Sequence, residues 1–410
     1  MRRTSGPKPR ESEYLDAAIE RLEHDAALIA RADAEIAAVS SQEPLFAQSL
    51  RAPQSPPHHC EGPFVEHHVR RILVVLYAIA AGKLHLRDIE EFKRLKGYEE
   101  EIQELEERIK ENIALFECFA LVHDAAKWAT LSFTSLERSR GRQMGFDTEA
   151  MAHWHDIGAS ERAKMRSRYL ELYDAFASDR PQEPDRALQQ EFFLLYGIQC
   201  HYPGHDRMIH APLYHGLLHR VCEAHRLTDR DAALLEDMIG SHMDVNLAFA
   251  PKPNPAAIDR FVNLAETRGY DSDDFLDLLQ GCVLLDMTFG SARRSEGMMW
   301  HDHTPVANFL RAEHDYAPWK RQEKAARRAE EKKRERNRHF REAGLDGVAL
   351  MEVLRMEAGP RFGKALAIVH AAVLGEAPWP ASMPADMREE IEKRAGKFYE
   401  LTFEKGDDSD

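Results

Sequence analysis

The chain has 410 residues, is 43% apolar and carries a formal charge of −15, with 55 Lys and Arg against 70 Asp and Glu. That length accommodates two or three domains with a real core, and the acidic balance excludes a protein that holds polyanions through bulk charge alone. The five scattered cysteines (Cys60, Cys118, Cys200, Cys222, Cys282) form no C-x-x-C pair. This argues against a disulfide framework or thiolate zinc site and predicts a reducing, cytosolic setting.

Residues 1–57 are polar and Ala-rich, then Pro/Ser-rich at Gln54-Ser55-Pro56-Pro57. Glu13 to Ala37 has helical composition, but the segment reads as a flexible leader with no secretory signal. From Phe64 onward nearly everything reads as helix. Val69, Ile72, Leu73, Leu76 and Ile79 recur at helical spacing, as do Ile102, Leu105, Ile109, Ile113 and Phe116. Tyr98 to Lys127 is expected to be one long helix, charged first and buried later. The longest apolar run, Ile72 to Ala81, has ten residues and cannot span a bilayer. Pro/Gly clusters punctuate the helices at 181–184, 202–204 and 251–255, and strand-like alternation is scarce. The predicted fold class is all-α.

Residues 320–341 hold eleven Lys/Arg and four Asp/Glu and almost no large apolar side chains. An exposed basic helix is expected there, either a solvated helix held by its own Glu/Lys pairs or a surface for RNA contact. A small helical C-terminal region follows over 342–410, with Leu345, Val348, Leu350, Val353, Leu354, Leu366, Ile368 and Val369 available for packing.

Residues suited to metal chemistry occur in five places. His123-Asp124 ends an apolar stretch, where a buried carboxylate needs a cation or donors. His68 has Ile72, Leu73 and Leu76 at +4, +5 and +8, which turns it inward, while His67 projects about 100° away. Tyr202-Pro203-Gly204-His205-Asp206 is a turn. His242 ends an apolar-patterned helix that Thr228-Asp229-Arg230-Asp231 would cap. Asp286 is a lone carboxylate among Val283, Leu284, Leu285 and Met287. His67, His155 and His201 are alternative ligands. His210, His215, His219 and His225 read as surface residues, with His215 or His219 able to meet a substrate phosphate, and His301-Asp302-His303 reads as a polar loop.

His123-Asp124-Ala125-Ala126-Lys127 resembles the HD-x-x-K motif of the HD-domain superfamily of metal-dependent phosphohydrolases. Residues 202–206, Leu234 to Met243 and Asp274 to Asp286 look more narrowly like the HD domain of bacterial tRNA nucleotidyltransferase and poly(A) polymerase family proteins. So does the tail, with Leu345-Asp346-Gly347-Val348-Ala349-Leu350-Met351 and Gly359-Pro360-Arg361-Phe362-Gly363. The nucleotide-adding head of those enzymes has no counterpart, so nucleotide addition is not expected. An insertion at about 129–198, carrying His153-x-His155-Asp156, separates His123 from His205.

The resemblance implies an HD helical bundle over 58–295, with a loop and basic helix at 296–341. It implies metal ligation by His68, His123, Asp124 and Asp286, and by His205 and His242 for a second ion. Mixed imidazole and carboxylate ligands favour Mn²⁺, Fe²⁺, Co²⁺, Ni²⁺ or Zn²⁺ over Ca²⁺, with Mg²⁺ compatible. Metal-activated water would hydrolyse a nucleotide or RNA-end phosphoester, with Asp124 and Lys127 at the reacting centre. Rival expectations are an HD-type di-iron oxygenase and a non-catalytic RNA- or partner-binding protein.

Overall fold

The computed structural model describes residues 13–146, 157–295 and 298–403. The chain divides into two compact units, Met1–Tyr316 and Ala317–Asp410. Both are helical, and the only strands among the described residues are two short antiparallel ribbons, Ser132–Ser135 with Ile198–His201 and Arg293–Ser295 with Met298–Trp300. No described helix is long and apolar enough to cross a membrane.

The first unit is built around the Val65–Ala80 helix, which is buried along nearly its whole length from His68 to Ile79. A helix apolar on every face needs neighbours all round. They are the helices Ala26–Gln42, Glu99–Glu111, Ile113–Val122 and the Leu284–Gly290 turn. From residue 13 onward, the expected flexible leader is instead part of this shell. Leu15, Ala18, Ile19, Leu28, Ala32, Ile36, Val39 and Phe46 are all buried in the main core. The reason is a narrow apolar stripe repeated every three or four residues, diluted by alanine and hard to see in the composition.

The long helix expected over 98–127 is broken. It runs as Glu99–Glu111 and Ile113–Val122, with Asn112 between them at φ −115° and ψ 34°. The Asn112 side chain donates to Arg108 O at 2.9 Å, competing with the backbone for that carbonyl, as Asn favours at turns and helix ends. A second break follows, because His123–Ala126 form turns before the short Lys127–Thr130 helix.

The 129–198 insertion has a core of its own. Phe133, Phe146, Tyr169, Tyr173, Phe176, Leu188, Phe192 and Ile198 pack together with Phe64. Its helix Asp185–Tyr196 carries Gln189, whose buried amide nitrogen donates to the carbonyls of Gln54 (3.1 Å), His59 (3.0 Å) and Gly62 (2.6 Å). The insertion therefore grips the loop that enters the central helix.

In the second unit, the helices Gly347–Leu354, Pro360–Val373 and Ala385–Phe403 close over Phe340, Leu345, Leu350, Phe362, Val369, Val373 and Phe398. Asp346 caps the first of them by accepting from Ala349 N at 2.9 Å. Val348 and Ile368, expected in this core, are 71% and 46% exposed. Gly359 and Pro360 form a helix start, with proline in the first turn.

Candidate metal centre

The six predicted ligands converge from five places in the first unit. His68 lies in the first turn of the central helix. His123 and Asp124 stand at the turn after Ile113–Val122, and His205 in the turn after the first ribbon. His242 sits inside the helix Asp229–Phe249, which continues a further two turns beyond it rather than ending there. A reciprocal capping box between Thr228 and Asp231 starts that helix, as the sequence predicts. Asp286 lies on a π-helical turn, Leu284–Gly290, that continues the helix Ser272–Val283. All six are buried, none more than 6% exposed.

The contacts among them are short. His68 Nε2 is 3.1 Å from Asp286 Oδ1, 3.7 Å from Asp124 Oδ2 and 3.3 Å from His123 Nε2. His123 Nε2 is 3.4 Å from Asp124 Oδ2, and His205 Nε2 is 3.4 Å from Asp124 Oδ1. Two groups of three have ligand atoms within 4.8 Å of one another: His68, His123 and Asp286, and Asp124, His205 and His242. Asp124 stands against both.

The outward nitrogens fix the rings. His123 Nδ1 lies 3.1 Å from Phe119 O, His205 Nδ1 2.8 Å from Tyr202 O and His242 Nδ1 2.7 Å from Ile239 O. A carbonyl only accepts, so each Nδ1 carries the proton and each Nε2 turns a lone pair to the centre. His68 Nδ1 is 3.3 Å from Glu61 Oε1, within ion-pairing distance but without hydrogen-bond geometry, so the carboxylate faces this ring without fixing it.

Two imidazole nitrogens 3.3 Å apart repel when both carry lone pairs, and a proton on one or a cation between them relieves that repulsion. His205 Nε2 is buried with no hydrogen-bond partner. A donor set of imidazoles and carboxylates facing one point, with an orphaned ring nitrogen among them, fits a first-row divalent ion.

The electrostatics agree with that fit. Burial alone would raise the Asp124 carboxyl, but His123 and Lys127 hold it well below its usual range. Burial is likewise outweighed at Asp286, which His68 and His123 keep low. Burial and the neighbouring His205 push the His242 imidazole down to about 4, so it stays neutral. At His68 burial is overcome by Asp286, Glu61 and Asp124, which raise the ring to about 10. The ionised acids demand a positive charge, and a proton on His68 or a metal ion at its Nε2 answers the same demand.

Lys127 Nζ is 2.7 Å from Asp124 Oδ2 and 3.5 Å from His59 Nε2, and lies over the Tyr202 ring. His59 Nδ1 is 2.8 Å from Glu61 Oε1, while Glu61 Oε2 accepts from Ala292 N at 3.1 Å. Glu61 thus stands against His68, the neighbour of Lys127 and the chain just beyond Asp286. Sequence reasoning missed both Glu61 and His59, because they lie in an irregular segment where no periodicity marks an inward side. It also missed Asn246, one turn beyond His242, whose amide lies 3.4 Å from Asp286 Oδ2.

Two of the three alternative ligands, His67 and His201, turn elsewhere. His67 turns to Asp185 at 3.0 Å and His201 to Thr134 Oγ1 at 2.7 Å. His153, His155 and Asp156 fall outside the described residues. His210 and His215 share Glu236 at the surface, His215 and His219 lie ring to ring, and His225 pairs with Glu35. The polar loop at 301–303 is irregular as expected but is drawn inside. His301 is buried between Asp16, at 2.7 Å, and Arg71, at 3.2 Å, which occupies both ring nitrogens.

Comparison with protein-family models, with curated proteins and with solved structures gives no match.

Proposed function

We propose that the first unit is a metal-dependent phosphohydrolase whose centre is held by His68, His123, Asp124, His205, His242 and Asp286. The observation that carries this reading is the set of four inward Nε2 atoms around two ionised carboxylates, three of the rings locked from behind by a carbonyl and the fourth, His68, facing the Glu61 carboxylate. Ions bound there would bring the pKa of a bound water toward neutrality and polarise a phosphoryl oxygen.

The chain's own residues supply the rest. Lys127, at the edge of the cluster, offers a fixed positive charge against the charge that develops on a phosphoryl group during hydrolysis. It is held there by Asp124 and the Tyr202 ring. His59 stands beside it with its Nδ1 engaged by Glu61, so its Nε2 is the edge turned to Lys127. The resemblance in sequence points to a nucleotide or RNA-end phosphoester as substrate.

The six-residue ligand set also accommodates two irons, so an oxygenase is the second reading. Lys127 against Asp124 favours phosphoester chemistry. Elemental analysis of purified protein, followed by a phosphoester panel with Mn²⁺, Ni²⁺ or Mg²⁺, separates them. Asp124→Ala is expected to lose metal and hydrolysis together, and full activity in that variant would exclude this centre. Bound iron with oxygen consumption and no phosphate release would favour the oxygenase.

A further inference from the structure

The helix Tyr316–Glu342 is exposed from Lys320 to Arg338, and beyond Lys320 the cations of that stretch fall into two populations. One is neutralised along the helix: Arg327 with Glu331, Lys333 and Arg334 with Glu330, and Arg338 with Glu335 and Glu342. These are ordinary pairs three or four residues apart.

The other population is Arg321, Lys324, Arg328, Lys332 and Arg336, for which no carboxylate lies within ion-pairing distance among the described residues. Their spacing of three, four, four and four residues places all five within about 120° of the helix circumference and along about 22 Å of its axis. Glu335, the one acid inside that arc, is engaged by Arg338, and Glu323 lies on the far side.

We propose that this stripe is a docking surface for the phosphodiester backbone of a nucleic acid strand. A row of unpaired cations in single file complements a row of phosphates, which carry one charge per 3.4 Å or so of each strand. It does not complement a bilayer: between Lys320 and Asn337 the only apolar side chains are Ala325, Ala326 and Ala329, so no greasy face could enter a membrane interface. The stripe reads no base, because backbone contacts position a strand without specifying it. This inference stands apart from the metal centre and survives if no phosphoester is hydrolysed.

The test is fluorescence anisotropy of the full chain with labelled single-stranded RNA and DNA of one sequence, from 50 to 200 mM salt. Five phosphate contacts predict a slope of about −3.5 in log affinity against log salt, or about a hundredfold loss across that range. The variant carrying R321Q, K324Q, R328Q, K332Q and R336Q is expected to flatten the slope by about 3.5, with helicity by circular dichroism unchanged. A control of equal charge change, R355Q, R361Q, K364Q, K393Q and K397Q, is expected to shift it by less than about 1. Preference for RNA or for DNA with the slope intact identifies the strand. Absence of wild-type binding at 50 mM salt overturns the proposal. So does an equal effect of the control, or stronger binding to phosphatidylserine vesicles or polyglutamate.

Discussion

Replacing Gln189 by Leu tests how the insertion governs the centre. The amide has two hydrogens and three carbonyls within reach, those of Gln54 and Gly62 buried and that of His59 partly so, and its loss leaves at least two acceptors without donors at once. A buried acceptor left unpaired costs about 1–3 kcal/mol, so two of them should loosen the loop from Gln54 to Gly62 by about 2–6 kcal/mol. Leucine keeps the shape, which isolates the polar loss from a cavity. Native-state hydrogen exchange reads it directly at two amides in that loop, Gln54 N, bonded to Pro63 O, and Cys60 N, bonded to Ala292 O, both at 2.7 Å. Their protection is expected to fall by about 30- to 25,000-fold, with amides in the helix Asp229–Phe249 unchanged. Because Glu61 and His59 ride on this loop, metal retention should weaken as well. Unaltered protection at both amides in the Leu variant would refute the idea that the insertion anchors the loop.

Gly290→Ala would place a methyl 2.8 Å from His68 Cε1 and 2.7 Å from Ile72 Cγ1, too close for either. A loss of about 1–3 kcal/mol in denaturant titration, with reduced metal content, is expected. Glu313 is pushed up to about 7, first by burial and then by Asp277, with Gln280 partly opposing. Its proton is held in the fold after the unfolded chain has released it, so its contribution to stability falls as pH rises from about 4.5 to about 7. Glu313→Gln should remove that slope, gaining about 1–3 kcal/mol at pH 8 relative to pH 4.5 when midpoints are compared with the parent. Thr228→Ala breaks the capping box and should cost about 1 kcal/mol, read as a lower thermal midpoint with metal content retained.

Much of the cluster was legible because its candidate ligands occupy positions where the pattern forbids a polar group. His68 and Asp286 interrupt apolar helices, and His123-Asp124 closes one, so burial followed from periodicity alone. His205 was legible through its turn despite the long separation from His123. What stayed hidden was whatever depends on partners distant in sequence. Glu61 matters because His68 and Ala292 happen to reach it, and nothing local to Glu61 says so. The packing of residues 13–50 was missed because alanine-rich helices bury little area each and look dispensable in composition. Asn112 breaks its helix although its neighbours on both sides keep helical spacing. His301 looks solvated in sequence and is enclosed only because Asp16 and Arg71 come from other helices.

The π turn at Leu284–Gly290 does more than hold Asp286. Such a turn accommodates one residue beyond the usual helical count, which offsets everything after it by about 100° around the axis. The offset lets Gly290 sit beneath His68 and delivers Ala292 N to Glu61, while Thr288 reaches Asp302 O at 3.1 Å. Deleting a single residue here would tighten the coil to ordinary geometry and swing a bulkier neighbour under the imidazole. The chain thus keeps a locally awkward winding as a phase adjuster, matching two faces of one rod to two different walls of the same chamber.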